Sequence, residues 1–258
     1  MLRFSANLSM LFNEVDFLDR FERAQKARFR GVEFLFPYEW EKKQLAEKLS
    51  QYSLEQVMFN LPAGDWTTGE RGIACLPGRS DEFKQGVDAA IDYAQALKCS
   101  LVNCLVGVTP KDVPQEKVHR TLVNNLRHAA EALGKKGITL MIEPLNTQDI
   151  PGFHLVHTRD AVALITEIDH YNLKIQYDIY HMQIMEGNLC KSIRDNSDLI
   201  QHIQFGDNPG RHEPGTGEIN FPNLFRFIDE TGYDGWIGCE YTAAGVTEDG
   251  LGWLKTYL

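Results

Sequence analysis

The sequence has no long apolar run and no paired-cysteine motif. No stretch approaches the roughly 18 uninterrupted apolar residues of a membrane-spanning helix, and the N-terminal letters MLRFSANLSMLF lack the charged and apolar segments of a signal peptide. The five cysteines include no Cys-x-x-Cys pair, and their odd number favours free thiols in a reducing compartment; they are Cys75, Cys99, Cys104, Cys190 and Cys239. We therefore expect a soluble, cytoplasmic protein with no membrane partner.

Positive charge is also scarce. The chain has 26 Lys and Arg residues against 36 Asp and Glu residues, a formal net charge of −10. An acidic protein is repelled by the phosphates of nucleic acids, so we expect no nucleic-acid partner. Gly215 and Gly217 form a GTG sequence in a predicted loop, but it lacks the glycine spacing and the strand-to-helix context of a phosphate-binding turn. The sequence therefore predicts no nucleotide cofactor.

Short apolar runs alternate with helical patterns along all 258 residues. Helical spacing of apolar residues is clearest in 83–97 and 122–133, and strands are predicted to start near Phe4, Gly31, Val57, Leu101, Thr139, Leu173, His202 and Trp236. Eight strand–helix units without a linker are typical of a (β/α)₈ TIM barrel. We therefore predict an α/β protein in which residues 1–258 form one barrel domain.

The connection after the third predicted strand is unusually long. It spans residues 60–79, NLPAGDWTTGERGIACLPGR, and it leaves the carboxyl end of a strand, where barrel enzymes keep their active sites. Loops of this length in compact domains are usually lids or binding loops. We predict that this loop is a lid and that Trp66, Glu70 and Arg71 contribute to a ligand pocket. The alternative for Trp66 is that it only packs the loop against the barrel.

Four predicted strands end in an oxygen-bearing side chain: Glu143, Asp178, Gln204 and Glu240. Parallel strands bring their carboxyl ends to one rim, and three neighbouring carboxylates repel one another unless a cation lies between them. Oxygen donors suit Mg²⁺, Mn²⁺ or Ca²⁺, whereas a ligand role for His181 or His202 would favour Mn²⁺, Co²⁺ or Zn²⁺. A network of structural ion pairs is the alternative interpretation.

Three further residues are candidates for binding substrate at this rim. His181 is expected where the strand from Leu173 gives way to a loop, and Arg211 follows the seventh strand, where its guanidinium could hold a substrate carboxylate or neutralise Glu213 or Glu218. Asn7 alternates with apolar neighbours in the first strand and could bind a substrate hydroxyl or simply pack in the core.

The chain resembles the hydroxypyruvate isomerase family of the xylose isomerase-like TIM barrels over its whole length, in RFSANLSMLF, GVEFLFPY, IEPLN, LKIQYDIYHMQ, GEINFPNLF and GWIGCEY. The loop 60–79 and DNPGRHEPGTGEIN are most similar to its 2-oxo-tetronate isomerase branch. The resemblance implies that Glu143 and Glu240 are catalytic and that they bind the metal with Asp178 and Gln204. Mg²⁺ is the expected ion and Mn²⁺ the alternative, because related sugar epimerases carry a histidine where this chain has Gln204.

This resemblance predicts an isomerase that interconverts 2-oxo-tetronate and 3-oxo-tetronate through an enediolate, with hydroxypyruvate and tartronate semialdehyde as a related pair. Substrate would be held by His181, Arg211, Asn7, Trp66 and Arg71. The alternatives are hydroxypyruvate isomerase proper, a sugar epimerase and a sugar-acid-binding barrel; a nuclease of the endonuclease IV type would need more histidine ligands and a basic groove. The aromatic tail GLGWLKTYL could contribute to a contact between subunits, so a homo-oligomer is possible.

Overall fold

The computed structural model describes residues 2–257, which form a parallel β-barrel surrounded by helices. The strands are β1 (Arg3–Asn7), β2 (Gly31–Glu33), β3 (Glu55–Gln56), β4 (Phe59–Asn60), β5 (Leu101–Cys104), β6 (Thr139–Ile142), β7 (Leu173–Asp178), β8 (Ile200–Phe205) and β9 (Trp236–Cys239). The α-helices are α1 (Arg20–Lys26), α2 (Lys42–Tyr52), α3 (Ser80–Leu97), α4 (Gln115–Gly134), α5 (Thr158–Ile168), α6 (Ile179–Met185), α7 (Leu189–Asp195), α8 (Phe221–Glu230) and α9 (Thr247–Gly250). Short 3₁₀ helices cover Phe17–Asp19, Trp66–Thr68 and Leu251–Thr256. The predicted α/β barrel is confirmed.

One extended segment closes the barrel. Its first part, β3, pairs with β2, and its second part, β4, pairs with β5. Hydrogen bonds extend both pairings beyond the two short strands. The Val57 amide donates to the Val32 carbonyl at 2.8 Å, and the Leu61 amide donates to the Asn103 carbonyl at 2.8 Å. The nine short strands therefore form an eight-stranded closed barrel, in which β3 and β4 together make one strand.

The interior of the barrel is layered by polarity. At the amino-terminal end, a plug of apolar side chains fills the barrel: Val57, Met58, Leu101, Met141 and Trp236. One step higher, the inward-facing positions are polar and fully buried: Ser5, Asn7, Glu33, Asn103, Gln176, His202 and Gln204. Inward and outward side chains alternate along each strand, so this polar layer lies directly under the carboxyl-terminal rim.

The helices cover the outside of the barrel with the apolar faces that their spacing predicts. In α3 the buried side chains include Phe83, Val87 and Leu97, and α4 buries Leu122 and Leu126 in the same core. The tail packs within its own chain, where Trp253 and Tyr257 contact the Phe4 ring at centroid distances of 5.1 and 5.2 Å. No helix within residues 2–257 is long and apolar enough to span a membrane.

The sequence interpretation of residues 173–181 was partly wrong. The strand ends at Asp178, and α6 begins at the next residue, so His181 lies in the first turn of a helix and not in a loop. The Asp178 carboxylate accepts a hydrogen bond from the Tyr180 amide at 2.8 Å and caps this helix. Apolar alternation alone did not reveal the cap, because Ile179 continues the strand pattern.

Gly238 in β9 leaves room for the Glu33 carboxylate to pack against the backbone of this strand. A Cβ atom at this position would lie 2.3 Å from Oε1 of Glu33, whose carboxylate is held on several sides and cannot move aside freely. Gly238→Ala should therefore lower the free energy of unfolding by about 1–3 kcal/mol, as overpacking does. Chemical denaturation measures this change. Gly245→Ala is the control, because a Cβ there meets nothing within 4 Å; equal stability of the two variants would contradict the packing argument.

Candidate active site and metal centre

The carboxyl-terminal rim surrounds a cavity of about 430 Å³. Glu143 directly follows β6, Asp178 ends β7, and Glu240 directly follows β9, so the barrel brings together three acids that are far apart in sequence. The cavity is lined by Ser9, Met10, Leu35, Asn60, Trp66, Arg71, Leu105, Glu143, Leu145, Asp149, Ile150, Gln176, His181, Arg211 and Glu240. Most of the predicted site residues therefore share one cavity.

Glu143 offers one carboxylate oxygen that no other group occupies. Its Oε2 atom accepts a hydrogen bond from Asn103 at 2.9 Å, whereas its Oε1 atom is buried and has no hydrogen-bond partner among the described residues. Burial, reinforced by the negative charges of Glu240 and Asp178, raises the pKa of Glu143 well above its usual value. A buried acid that lines a cavity and has an unpartnered oxygen is suited to proton transfer or to binding a cation.

Glu240 is held on both of its oxygens. Oε1 accepts from Arg211 at 2.8 Å, and Oε2 accepts from Asn7 at 3.1 Å and from the amide nitrogen of Gln204. Burial raises the pKa of Glu240 to about 8, although the Arg211 guanidinium opposes this shift. The carboxyl group is thus fixed in position and titrates near neutral pH, as a general acid or base should.

Asp178 and Arg211 form the central ion pair of the rim. The Arg211 Nη2 atom lies 3.1 Å from Asp178 and also contacts Glu240, so both acids use the same guanidinium. Burial raises the pKa of Asp178, although the charge of Arg211 and the hydrogen bonds that the carboxylate accepts from backbone amides oppose this shift. Arg211 is therefore neutralised by carboxylates of the protein itself.

The loop that carries Arg211 is organised by Asp207, a residue that the sequence interpretation missed. Its buried carboxylate accepts hydrogen bonds from the amides of Gly215, Gly217 and Ile219 at 2.8, 2.9 and 3.1 Å. A Cβ atom at Gly217 would lie 2.3 Å from the Asn208 carbonyl oxygen, which explains a glycine there. The GTG turn therefore binds a carboxylate of its own chain.

His181 points a protonated nitrogen into the site. Its Nδ1 atom accepts from the backbone amide of Asn146 at 3.2 Å and from the Asn146 side-chain amide at 2.7 Å, so the proton of the neutral ring lies on Nε2. Burial lowers the pKa of His181 well below its usual value, and the charge of Arg211 adds to the shift. Since Nε2 lies 3.5 Å from Asp178 at the cavity wall, His181 is placed to donate a hydrogen bond to a substrate oxygen.

A divalent cation fits this arrangement. One carboxylate oxygen each from Glu143 and Asp178 and a ring nitrogen of His181 lie within 4.8 Å of one another. Because Nδ1 of His181 is bonded to Asn146 and Nε2 carries the proton, the two carboxylates are the donors available to a cation in this group. Glu240 adds a further carboxylate at the same cavity. Buried carboxylates in excess of the cationic side chains make a set of hard oxygen donors, which suits a divalent cation.

Gln204 lies at the site with its amide nitrogen toward the acids. This nitrogen donates to Glu33 at 2.7 Å and to Glu240, while its oxygen accepts from Gln176 at 2.6 Å. An amide nitrogen cannot bind a metal, so a ligand role for Gln204 requires its oxygen to turn toward the cation. Gln176, which the sequence interpretation passed over, lines the cavity and has a buried oxygen with no partner among residues 2–257.

Glu33 supports the site from below. Its carboxylate accepts from Ser5 at 2.7 Å and from Gln204, and it contacts the His202 ring at 3.0 Å. Burial alone would raise the pKa of Glu33, but His202 and these hydrogen bonds hold it below its usual value. Asn7 donates to both Glu33 and Glu240 and does not line the cavity, so its position is that of a support for the acids.

Trp66 and Arg71 lie together at the outer wall of the cavity. The Arg71 guanidinium stacks on the Trp66 ring at 3.8 Å, and the ring packs against Phe36 at a centroid distance of 5.1 Å. Glu70, the third residue predicted on this loop, accepts from the Asp65 amide and pairs with Arg79, so it braces the loop and does not line the cavity.

Comparison with known proteins defines the class of the chain. Residues 21–257 match the model of the xylose isomerase-like TIM barrel family, and the chain belongs to this family. It is 57% identical over 257 residues to a hydroxypyruvate isomerase of Escherichia coli (strain K12), with 100% of each chain covered. It is 45% identical over 258 residues to a 2-oxo-tetronate isomerase of Cupriavidus necator, with 100% of this chain and 99% of the relative covered.

Solved structures agree with this classification. A structure from Brucella melitensis, described as an AP endonuclease of family 2, has a TM-score of 0.97, 46% identity and coverage of 100% of this chain and 99% of its own. A 3-keto-D-glucoside 4-epimerase of Escherichia coli shares the fold, with a TM-score of 0.79, 21% identity and 99% of both chains covered. The predicted family, barrel fold and isomerase class are therefore confirmed.

The raised pKa of Glu240 predicts a pH-dependent stability of the metal-free protein. Between pH 7 and 8 the folded state holds a proton on Glu240 that the unfolded chain has lost, so the free energy of unfolding falls as the pH rises. We expect the melting temperature in EDTA to fall between pH 7 and 8.5 by about 2 °C or more beyond that of Glu240→Gln, which cannot ionise at this position. If the melting temperatures of the wild type and Glu240→Gln changed equally with pH, the raised pKa of Glu240 would be contradicted. Saturating Mg²⁺ should remove the difference in pH dependence between the two proteins.

Proposed function

We propose that this chain is a metal-dependent isomerase of short sugar acids that moves a carbonyl group between C2 and C3. The observation that carries the proposal is that Glu143 and Glu240, two buried acids with raised pKa values, face one cavity from β6 and β9. Hydroxypyruvate and 2-oxo-tetronate are the proposed substrates, since the full-length relatives carry both names. The two acids differ by one hydroxymethylene unit, and such a unit discriminates only weakly, so one cavity should accept both.

The reaction needs two proton movements and no external oxidant. In the first movement, the proton on C3 of the 2-oxo acid is removed to give an enediolate, and a proton is then added to C2. In the second movement, the proton of the C3 hydroxyl group passes to the C2 oxygen. Glu143 and Glu240 take and return the carbon-bound proton. Each acts as the base in one direction, because the reaction is reversible.

The neighbouring residues orient these acids. Arg211 and Asn7 hold Glu240, and Asn103 holds one oxygen of Glu143 while the other oxygen has no partner among the described residues. The Nε2 proton of His181 supplies a hydrogen bond to a substrate oxygen. Leu35, Leu105, Leu145 and Ile150 form apolar walls that limit access of water to the enediolate.

We propose Glu143, Asp178, Gln204 and Glu240 as the metal ligands, with Mg²⁺ as the ion and Mn²⁺ as its alternative. When bound, the cation would offset the negative charge that develops on the two substrate oxygens. Gln204 would join this set through its amide oxygen, and Gln176, which lines the same cavity, has an amide oxygen with no partner among the described residues. The unpartnered Oε1 atom of Glu143 and the surplus of buried carboxylates support this assignment.

We extend the proposal to the cellular setting. Cys75, Cys99, Cys104 and Cys239 are buried free thiols, which supports a reducing compartment such as the cytoplasm. The net charge of −10 supports a small-molecule partner over a nucleic acid.

Metal dependence can be tested with hydroxypyruvate and 2-oxo-tetronate in parallel assays. We expect turnover of both acids, its loss in EDTA and its recovery with Mg²⁺ or Mn²⁺. Reaction in D₂O should place deuterium on the product carbon, because the glutamates exchange their protons with solvent. Turnover that is unaffected by EDTA after dialysis would exclude the metal, and absence of turnover in a folded, Mg²⁺-loaded protein would exclude the isomerase.

The two glutamates are tested by isosteric replacement. Glu143→Gln and Glu240→Gln should each lower kcat by roughly 10²–10⁴-fold, because a carboxamide cannot shuttle the proton. Circular dichroism should show that both variants remain folded. Asp112→Asn is the matched control, since this exposed acid lies at the same rim outside the cavity and its loss should leave kcat unchanged. A Glu240→Gln variant with normal kcat would remove Glu240 from the mechanism.

A further inference from the structure

The cavity has two arginines with different charge environments. Arg211 contacts Asp178 and Glu240, whereas Arg71 has no carboxylate partner among the described residues and hydrogen-bonds only to the backbone carbonyls of Trp66 and Glu70. Both of these bonds come from Nη1 of Arg71. The Nη2 and Nε atoms have no bonded partner within residues 2–257, so one edge of this guanidinium is free to bind an anion.

The Arg71 guanidinium is held in a defined orientation. Its Cζ atom lies over the Trp66 ring, 3.8 Å from the ring centroid, and its two hydrogen bonds to backbone carbonyls both come from Nη1. An arginine presented in this way suits the planar, two-oxygen geometry of a carboxylate. Trp66 is itself fixed, because Phe36 packs against it and Asp65 caps the short 3₁₀ helix in which it lies.

The loop that carries Arg71 is anchored on both sides of it. Glu70 accepts from the Asp65 amide and pairs with Arg79, so the segment before Arg71 is cross-linked by its own side chains. After Arg71, the Gly72 amide donates to the Ala63 carbonyl at 2.9 Å, and a Cβ atom at Gly72 would lie 1.8 Å from the Leu105 carbonyl oxygen. The guanidinium therefore stands in place before a ligand arrives, which reduces the entropy lost on binding.

Charge decides which arginine receives an anionic substrate. A carboxylate placed beside Arg211 would face Asp178 and Glu240 at close range, and the like charges would repel it. A carboxylate beside Arg71 meets an unpaired cation. We propose, on the basis of the proposed function, that Arg71 binds the C1 carboxylate of the sugar acid, so that C2 and C3 lie between Glu143 and Glu240. Arg71 thereby makes the site selective for sugar acids over neutral sugars.

The test uses D-glycerate, a carboxylate that has no carbonyl to isomerise, and glycerol, in which the carboxylate is replaced by a hydroxymethyl group. Calorimetry on the Mg²⁺-loaded protein should show binding of glycerate but weaker binding of glycerol. Arg71→Gln should weaken glycerate binding roughly 10- to 100-fold, the usual range for a charge-assisted contact. The affinity of Arg71→Lys for glycerate should lie between those of the wild type and Arg71→Gln, because lysine keeps the positive charge but lacks the planar guanidinium group.

Kinetics separate this role from a structural one. For the acid substrates, Arg71→Gln should raise KM by a similar factor while kcat changes less, with the melting temperature unchanged. Lys111→Gln is the matched control, because it removes one positive charge from the same rim outside the cavity and should alter neither constant.

Two outcomes would overturn the assignment. One is that glycerate binds Arg71→Gln as tightly as it binds the wild type, and the other is that the wild type shows no measurable glycerate binding. Since glycerate binding needs no turnover, the outcome is independent of the isomerase assay. Loss of glycerate binding in Arg71→Gln without any isomerase activity in the wild type would confirm the carboxylate site and reject only the proposed reaction.

Discussion

Four buried carboxylates lie close together at the candidate site: Glu33, Glu143, Asp178 and Glu240. Burying a charge is costly, and the protein meets this cost in two ways. Glu33 is stabilised by His202 and by neutral donors, whereas Asp178 and Glu240 share the single guanidinium of Arg211. Burial, together with the negative charges of the neighbouring acids, raises the pKa values of Glu143 and Glu240 and makes the cavity a favourable place for a cation. The chemistry of the site follows from this imbalance.

The barrel creates the imbalance through its layers. An apolar plug that includes Met141 and Trp236 closes the lower end, so the acids cannot be solvated from below. The polar layer around Glu33 then orients the rim, since Asn7 and Gln204 each donate to both Glu33 and Glu240. Stability and reactivity are therefore linked by shared hydrogen bonds.

Much of this arrangement is readable from the sequence, because strand ends in a parallel barrel have to meet. All eight predicted strand starts fall within or next to strands of the barrel, and Glu143 and Glu240, at the ends of two of these strands, line one cavity. The helix that starts after Asp178 escaped prediction because Ile179 and Tyr180 extend the alternation of the strand. Glu33 and Asp207 escaped because their roles depend on partners far away in sequence, such as His202 for Glu33. Hydrogen-bond direction, which sets the orientation of the Gln204 amide and the tautomer of His181, requires three-dimensional coordinates.

The 60–79 loop is attached to the barrel at its base, where Gly72 meets the Leu105 carbonyl, and it is braced internally by Glu70 and Arg79. The residues that would transfer protons all lie on other segments. If Arg71 binds the substrate carboxylate as proposed, this part of recognition and the proposed proton transfer lie on separate segments of the chain. Substitution within this loop can change which acids are accepted while leaving the proton-transfer machinery intact, which offers a simple route by which one barrel can diversify among related metabolites.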